Sequence, residues 1–79
     1  MEILLVFKTR NQTLRCANFL HAAGYAASIA DTPLRIYGSC TLSVKCDGEG
    51  FAYFRGYVAT FPSFAGAYAN DGGKYVRIF

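Results

Sequence analysis

Hydrophobic and polar positions near the start of the chain predict a strand followed by a helix. Glu2–Lys8 is an almost continuous apolar run, which is typical of a central strand buried on both sides. Asn11–Gly24 changes to helical spacing, with Asn11 as the expected N-cap and Gly24 as the expected residue beyond the C-cap. The residues on the expected buried side of this helix are Thr13, Cys16, Phe19, Leu20 and Ala23.

Two strands are predicted in the middle of the chain. Ala26–Asp31 is the first, and it ends before Pro33 because proline cannot continue a sheet ladder. Cys40–Asp47 is the second, since its apolar and polar residues alternate. The residues that share one face of this strand are Cys40, Leu42, Val44 and Cys46. Residues 47–50, with the sequence DGEG, are predicted to form a turn.

Aromatic and small residues dominate the last third of the chain. Phe51–Phe61 is rich in aromatic and β-branched side chains, which favours a strand. Pro62 suits the first turn of a helix, so residues 63–71 are predicted to form a short helix that ends at Gly72. Lys74–Phe79 is predicted to be the closing strand.

This order of elements predicts a ferredoxin-like α+β fold. Two β-α-β units form an antiparallel βαββαβ sheet with two helices on one face. The predicted strand Phe51–Phe61 is additional to that plan and is expected to extend Cys40–Asp47 as a hairpin arm. A chain of 79 residues has room for one hydrophobic core, so residues 1–79 are expected to form a single domain.

Composition indicates a folded protein with more apolar surface than its size can hide. The chain is 53% hydrophobic, 16% aromatic and 16% charged, which excludes a disordered segment. Phe51, Tyr53 and Tyr57 share one side of the predicted strand and are expected to bind a protein partner or a second copy of the chain. The net charge of +3 is too small to indicate nucleic acid.

Apolar run lengths and cysteine usage bear on location. No apolar run approaches the roughly 18 residues that a membrane helix needs. The apolar start Ile3–Phe7 is also too short for a signal peptide. Three cysteines without framework spacing fit a reducing compartment. The sequence therefore predicts a cytoplasmic protein that does not enter the membrane.

Most residue patterns that support catalysis or cofactor binding are missing from the sequence. The five carboxylates include no pair spaced for acid–base catalysis. His21 is the single histidine and lies on the expected polar side of the helix. Gly48 and Gly50 lack the third glycine of a dinucleotide-binding loop. No cofactor and no metal ion is expected, and the residues leave open whether the chain is an enzyme.

The three cysteines differ in their expected environments. Cys16 and Cys46 fall on buried positions of the predicted helix and strand, so both are expected to be inert core residues. Cys40 begins a strand and follows a loop that contains Arg35, whose guanidinium would favour a thiolate. Cys40 and Cys46 are about 20 Å apart along the strand, which excludes a disulfide or a shared metal ion. Cys40 is therefore either a reactive thiol or a structural residue at a strand start.

The segment TPLRIYGSCTLSV resembles the signature of the Se/S carrier protein-like family. Members of that family have a Thr-Pro start and a Ser-Cys pair shortly before a strand, which correspond here to Thr32, Pro33, Ser39 and Cys40. The helix TLRCANFLHAAGY is also similar to the family's helix, and the resemblance extends from the first strand to Cys46. The departures are an arginine displaced by one position to Arg35, Thr41 in place of a glycine, and an aromatic insertion from Asp47 to about Ala59.

The resemblance implies that Cys40 carries sulfur or selenium as a persulfide or selenosulfide. Arg35 and Ser39 are then expected to shape the loop around the thiol, while Pro33 and Gly38 keep this loop off the sheet. The implied partner is a sulfur donor enzyme.

Two other functions compete for the aromatic segment Phe51–Phe61. A non-catalytic regulator or inhibitor would use it to bind a protein. An RNA-binding protein would use it to stack bases, because Gly50–Phe54 resembles the RNP1 strand of RNA-recognition motifs. However, Glu49 replaces the basic residue of that motif and Gly56 its final aromatic residue. We therefore expect no nucleic-acid binding beyond that of a weakly basic protein.

Overall fold

A computed structural model describes residues 1–33, 36 and 42–79. The first strand, β1 (Ile3–Phe7), is buried at all five positions, which confirms the prediction of a central strand covered on both faces. A helix, α1 (Arg10–Ala22), follows after two residues. Its N-cap is Thr9 rather than Asn11, and the Thr9 hydroxyl accepts a hydrogen bond from the Gln12 amide.

The predicted end of α1 is confirmed. Gly24 follows the C-cap residue Ala23 and has a φ of +89°, a conformation that favours glycine. The strand β2 (Ala27–Asp31) comes next, and β3 (Leu42–Cys46) pairs with it antiparallel, with Ala27 opposite Cys46. Val44 and Cys46 are buried on one face of β3, as the alternation predicted.

The structure of residues 47–61 differs from the prediction. Gly48–Arg55 is a helix, α2, and Val58–Thr60 is a 3₁₀ turn, so neither the DGEG turn nor the strand Phe51–Phe61 exists. Asp47 caps α2, because its Oδ1 accepts a hydrogen bond from the Gly50 amide at 2.9 Å. Phe54 lies on the side of this helix that faces the core and is fully buried. Its tertiary packing outweighs the β-propensity of the aromatic residues.

The predicted helix at residues 63–71 is also wrong. Phe64–Asp71 is a strand, β4, in which the small residues Ala67 and Ala69 alternate into the core. A two-residue turn of Gly72 and Gly73, with φ of +61° and +92°, connects β4 to the strand β5 (Lys74–Arg77).

In the described part of the chain, the strands form one antiparallel sheet in the order β2-β3-β1-β4-β5. The elements from β1 to β4 follow the βαββαβ order, with α1 and α2 as the two crossover helices. The fold is therefore α+β and ferredoxin-like, as the sequence predicted. The additional strand is β5 at the edge of the sheet and not the aromatic segment.

The hydrophobic core lies between one face of the sheet and the helices. Residues of β1 that face this core alternate with residues that face the opposite side. The core residues are Ile3, Leu5, Phe7, Cys16, Ala17, Leu20, Val44, Cys46, Phe54, Phe61, Ala67 and Ala69. Below, we call this side of the sheet the helix face, and the side of Leu4 and Val6 the opposite face.

Candidate functional site

The connection from β2 to β3 contains the segment that the sequence singled out. Thr32 is buried and Pro33 is half-buried at its start. The other predicted site residues of this segment lie outside the described residues: Arg35, Gly38, Ser39 and Cys40. The geometry of the site is therefore given by the residues on either side of them and by Ile36.

A buried pair of hydroxyl groups joins the two ends of this connection. The Thr32 hydroxyl forms a hydrogen bond with the hydroxyl of Ser43 in β3, and Ser43 is fully buried. Burial of two hydroxyl groups is tolerated because each satisfies the other. The start of β3 is also fixed to α1, since the Thr13 hydroxyl lies 3.3 Å from the carbonyl oxygen of Leu42. The sequence analysis did not identify this pair, because Thr and Ser in strands usually face solvent.

Ile36 is the one described residue between Pro33 and β3 in the part that precedes Leu42. Its amide donates a hydrogen bond to the Pro33 carbonyl oxygen at 2.9 Å. Ile36 lines a cleft of about 340 Å³ together with Tyr68, Lys74 and Tyr75. Tyr68 is the register partner of Leu4 and therefore lies on the opposite face. Ile36 thus lies on the opposite face.

The other two cysteines lie on the helix face and are buried. Cys16 is 0% exposed and Cys46 is 6% exposed, which confirms the prediction that both belong to the core. Burial, with a smaller contribution from the nearby Cys46 thiol, raises the pKa of Cys16 to about 12. Burial also raises the pKa of Cys46 to about 12, with a smaller contribution from the negative charge of Asp47. Both thiols are therefore protonated and shielded at neutral pH.

The predicted partner-binding residues are divided between two sides of α2. Phe51 contacts Phe79, with 5.9 Å between ring centroids, whereas Tyr53 and Tyr57 contact Phe19 of α1. The three residues do not share one side as strand spacing predicted, because α2 places Phe51 and Tyr53 on different sides, and Tyr57 packs beside Tyr53 from just beyond the end of the helix, with 5.0 Å between ring centroids. The RNP1 interpretation of Gly50–Phe54 is wrong for the same reason, since these residues form a helix.

Tyr53 is the centre of a partly exposed row of aromatic rings on the outer surface of the helices. Tyr25, Tyr53, Phe19 and Tyr57 contact in this order, with centroid distances of 5.0, 5.3 and 5.1 Å. A hydrogen bond with Tyr57 raises the pKa of Tyr53. Tyr57 is 40% exposed, and the other three rings are partly buried. We call these four residues the aromatic row. Local spacing in the sequence does not predict this row, because Tyr57 lies beyond the end of α2 and Tyr25 and Phe19 come from a distant part of the chain.

Titratable side chains of the described residues do not form a metal site. Within residues 1–33, 36 and 42–79, no group of three His, Cys, Asp or Glu side chains is close enough to hold an ion. His21 is exposed and donates a hydrogen bond to the Ala27 carbonyl oxygen of β2 at 2.5 Å, so it has a structural contact. A cleft of about 430 Å³ lies beside Cys46, with Glu2, Lys45 and Asp47 among its lining residues. Its charges have mixed sign and do not indicate one class of ligand.

The fold defines a small ferredoxin-like α+β protein, and comparison with known proteins gives its family. The family model described as "Putative Se/S carrier protein-like" matches residues 2–51, which is more than half of the chain. The chain therefore belongs to this family, as the resemblance of the Thr32–Cys40 segment predicted. The match covers β1 to the first half of α2. No curated protein and no solved structure matches the chain.

The helices were also compared with the length that a bilayer requires. Of the helices that the structure describes, none is both long enough and apolar enough to cross a membrane.

Proposed function

We propose that this protein carries sulfur or selenium on Cys40 as a persulfide or selenosulfide. Family membership supports carriage of these elements, and the matched residues 2–51 include Cys40. The observation that carries the assignment to this residue is the burial of the other two thiols on the helix face. A thiol with a pKa of about 12 is ionised at pH 7 in only roughly one molecule in 10⁵.

The proposed transfer is a thiol–persulfide exchange. The Cys40 thiolate attacks the terminal sulfur of a protein persulfide, R–S–SH, and the S–S bond of the donor breaks. The donor leaves as a thiolate, R–S⁻, and Cys40 becomes a persulfide. The sulfur atom and its proton move together, so no external oxidant or reductant is consumed. Selenium would be carried in the same way, as a selenosulfide on the same sulfur.

The remaining residues of the segment have proposed roles in shaping the thiol's surroundings. Arg35 would lower the pKa of Cys40 by favouring its anion, and Ser39 would shape the loop beside it. Pro33 and Gly38 would hold the loop in a form that a donor can reach. The hydroxyl pair of Thr32 and Ser43 supports this role, because it fixes both ends of the loop to the sheet.

The proposed partner is an enzyme that supplies sulfur as a protein persulfide. Three cysteines in a sequence without a disulfide framework fit a reducing compartment, so we place the carrier in the cytosol. No cofactor is required, because the transferred atom is held by the cysteine itself.

The test is sulfur transfer from a cysteine desulfurase loaded with isotopically labelled cysteine. Wild-type protein is expected to gain one labelled sulfur atom on Cys40, located by peptide mass mapping without reductant. Cys40→Ser should lose the transfer, whereas Cys46→Ala, which removes a buried thiol, should keep it. Transfer that survives in Cys40→Ser, or is lost in folded Cys46→Ala, would contradict the assignment.

The aromatic row supports a second function of another class. A regulator or inhibitor would bind a protein through the exposed edges of Tyr53 and Tyr57, since tyrosine is enriched at the energetic centres of interfaces. In that case Tyr57→Glu would abolish binding to a partner while Cys40→Ser would not affect it. Loss of sulfur transfer in Cys40→Ser together with normal transfer in Tyr57→Glu favours the carrier.

A further inference from the structure

The edge strand β5 exposes apolar side chains, and among the described residues no other strand pairs with its outer side. Val76 is 50% exposed, and the neighbouring Ile78 and Phe79 are 42% and 40% exposed. The Phe79 ring packs against Phe51 and the Arg55 guanidinium, at 5.9 and 5.1 Å. An exposed apolar edge strand of this kind is a template for pairing with another chain.

The pairing with β4 determines which backbone groups of β5 point outward. The Ile78 amide donates to the Ala67 carbonyl oxygen at 2.8 Å, so Ala67 and Ile78 are a hydrogen-bonded pair. Hydrogen-bonded pairs alternate along an antiparallel ladder, which makes Ala69 and Val76 the next such pair. The amide and carbonyl groups of Tyr75 and Arg77 therefore point away from β4.

The other edge of the sheet is less open to pairing. The His21 ring donates a hydrogen bond of 2.5 Å to the carbonyl oxygen of Ala27 in β2, so this oxygen already has a partner. Asp31 ends β2, and Pro33, which lacks an amide hydrogen, follows shortly after. Charged residues and proline are common means of protecting a sheet edge. Because the β2 edge is less open to pairing than the β5 edge, association through β5 alone would close as a dimer rather than continue as a filament.

We propose that β5 pairs with β5 of a second copy of this chain across a two-fold axis at Val76. This inference is independent of the proposed sulfur transfer. In the resulting register, Tyr75 lies opposite Arg77 of the second copy, and each such pair uses the outward amide and carbonyl groups. Val76 lies opposite itself on the helix face, and its exposed side chain is covered by its counterpart.

Charge and side-chain matching select this register over the two others that a two-fold axis allows. Pairing centred on Arg77 would place two guanidinium groups opposite each other, which is destabilising. Pairing centred on Tyr75 would place the exposed Val76 opposite Lys74. The register centred on Val76 instead places two apolar side chains opposite each other, and the Arg77 guanidinium keeps its hydrogen bond of 3.3 Å to the Ala65 carbonyl oxygen. Arg77 packs over Gly66, next to Tyr68. A Cβ atom at position 66 would lie 3.4 Å from the guanidinium carbon of Arg77.

Disulfide trapping tests the register directly. In a Cys40→Ser background, Val76→Cys would place two new thiols in a non-hydrogen-bonded pair with Cα atoms about 4.5 Å apart, within disulfide range. Oxidised glutathione accepts the two electrons and is reduced to two glutathione molecules. Val76→Cys is expected to form a covalent dimer at least tenfold faster than Arg77→Cys, whose two Cα atoms would be about 8 Å apart. Equal rates, or no dimer from Val76→Cys, would overturn the proposal.

Sedimentation equilibrium gives a second measurement that needs no new disulfide. Wild-type protein is expected to dimerise, and Val76→Lys is expected to raise the dimer dissociation constant at least tenfold by placing two ammonium groups opposite each other. The matched control is Ile29→Lys, which introduces the same charge at a 38% exposed position of β2. A wild-type monomer at millimolar concentration, or a larger effect of Ile29→Lys, would overturn the proposal.

Discussion

The two faces of the sheet are both buried along β1, but different chemistry covers them. On the helix face, Phe7 of β1 packs against Phe54, Phe61 and Phe64, with ring centroids 5.1 to 6.0 Å apart within this cluster. On the opposite face, Leu4 and Val6 are 2% and 0% exposed, yet their neighbours include the hydroxyl pair of Thr32 and Ser43. The helix face is an aromatic core, whereas the opposite face includes a buried pair of hydroxyl groups and also carries Ile36.

The helix face removes two of the three thiols from chemistry at neutral pH. The helix face holds Cys16 and Cys46 among apolar side chains, where their anions are disfavoured. The opposite face receives Ile36, from the same connection that contains Cys40. A carrier thiol must meet the donor sulfur directly, which the two buried thiols of the helix face cannot do.

The largest effect is expected from opening the helix face. Phe54→Ala removes a fully buried ring in contact with Phe7 and should lower the free energy of unfolding by about 3–5 kcal/mol. Leu14→Ala is the control, because Leu14 is 44% exposed on α1 and should cost less than about 1 kcal/mol. Urea unfolding followed by circular dichroism measures both. Equal costs would show that α2 is not part of the core.

Alkaline pH should weaken the same face. The pKa of Cys16 and of Cys46 is raised to about 12 in the folded protein, whereas unfolded thiols lose their protons near pH 8.5. The unfolded state then binds fewer protons, so stability is complete below about pH 8.5 and falls as the pH rises towards about 12, by up to about 1.4 kcal/mol per pH unit for each thiol.

Cys16→Ala isolates this contribution from the tyrosines, which titrate in both proteins. The dependence of unfolding free energy on pH should be shallower in the variant than in wild-type protein between about pH 9 and 11. If the unfolding free energies of the two proteins depend on pH in the same way, the Cys16 thiol ionises as an exposed thiol does and is not buried in the core.

A smaller effect is expected on the opposite face. Thr32→Val leaves the Ser43 hydroxyl buried without its partner, which should cost about 1–3 kcal/mol. Thr32→Ser keeps the hydroxyl and serves as the matched control. Thermal unfolding distinguishes them, and a valine variant as stable as the serine variant would show that the pair does not hold the connection.

The first half of the fold was predictable from sequence because its residues separate cleanly by polarity. Glu2–Lys8 is an almost continuous apolar run, and Asn11–Gly24 has the spacing of an amphipathic helix. The observed β1 and α1 agree with these two patterns. The second half lacks this separation. Phe51, Tyr53, Phe54 and Tyr57 are all aromatic, so spacing alone does not distinguish strand from helix, and the Asp47 cap and the burial of Phe54 decide the outcome.

The same limit applies to the candidate site. Burial of Cys16 and Cys46 followed from their periodicity and is confirmed. The hydroxyl pair and the aromatic row depend on contacts between residues far apart in the chain, such as Phe19 with Tyr53, which a local pattern does not contain. The assignment of Cys40 as the carrier stays a prediction, supported by the family match and by the exclusion of its two counterparts.

Competitive alkylation of the folded protein tests that assignment most directly. A brief pulse of iodoacetamide at neutral pH, followed by peptide mass mapping, compares all three thiols in one molecule. Cys40 should be labelled first, while Cys16 and Cys46 should react only after unfolding in urea, because their anions are disfavoured in the core. If Cys40 resists alkylation until the protein unfolds, its thiol is structural and the carrier function is contradicted.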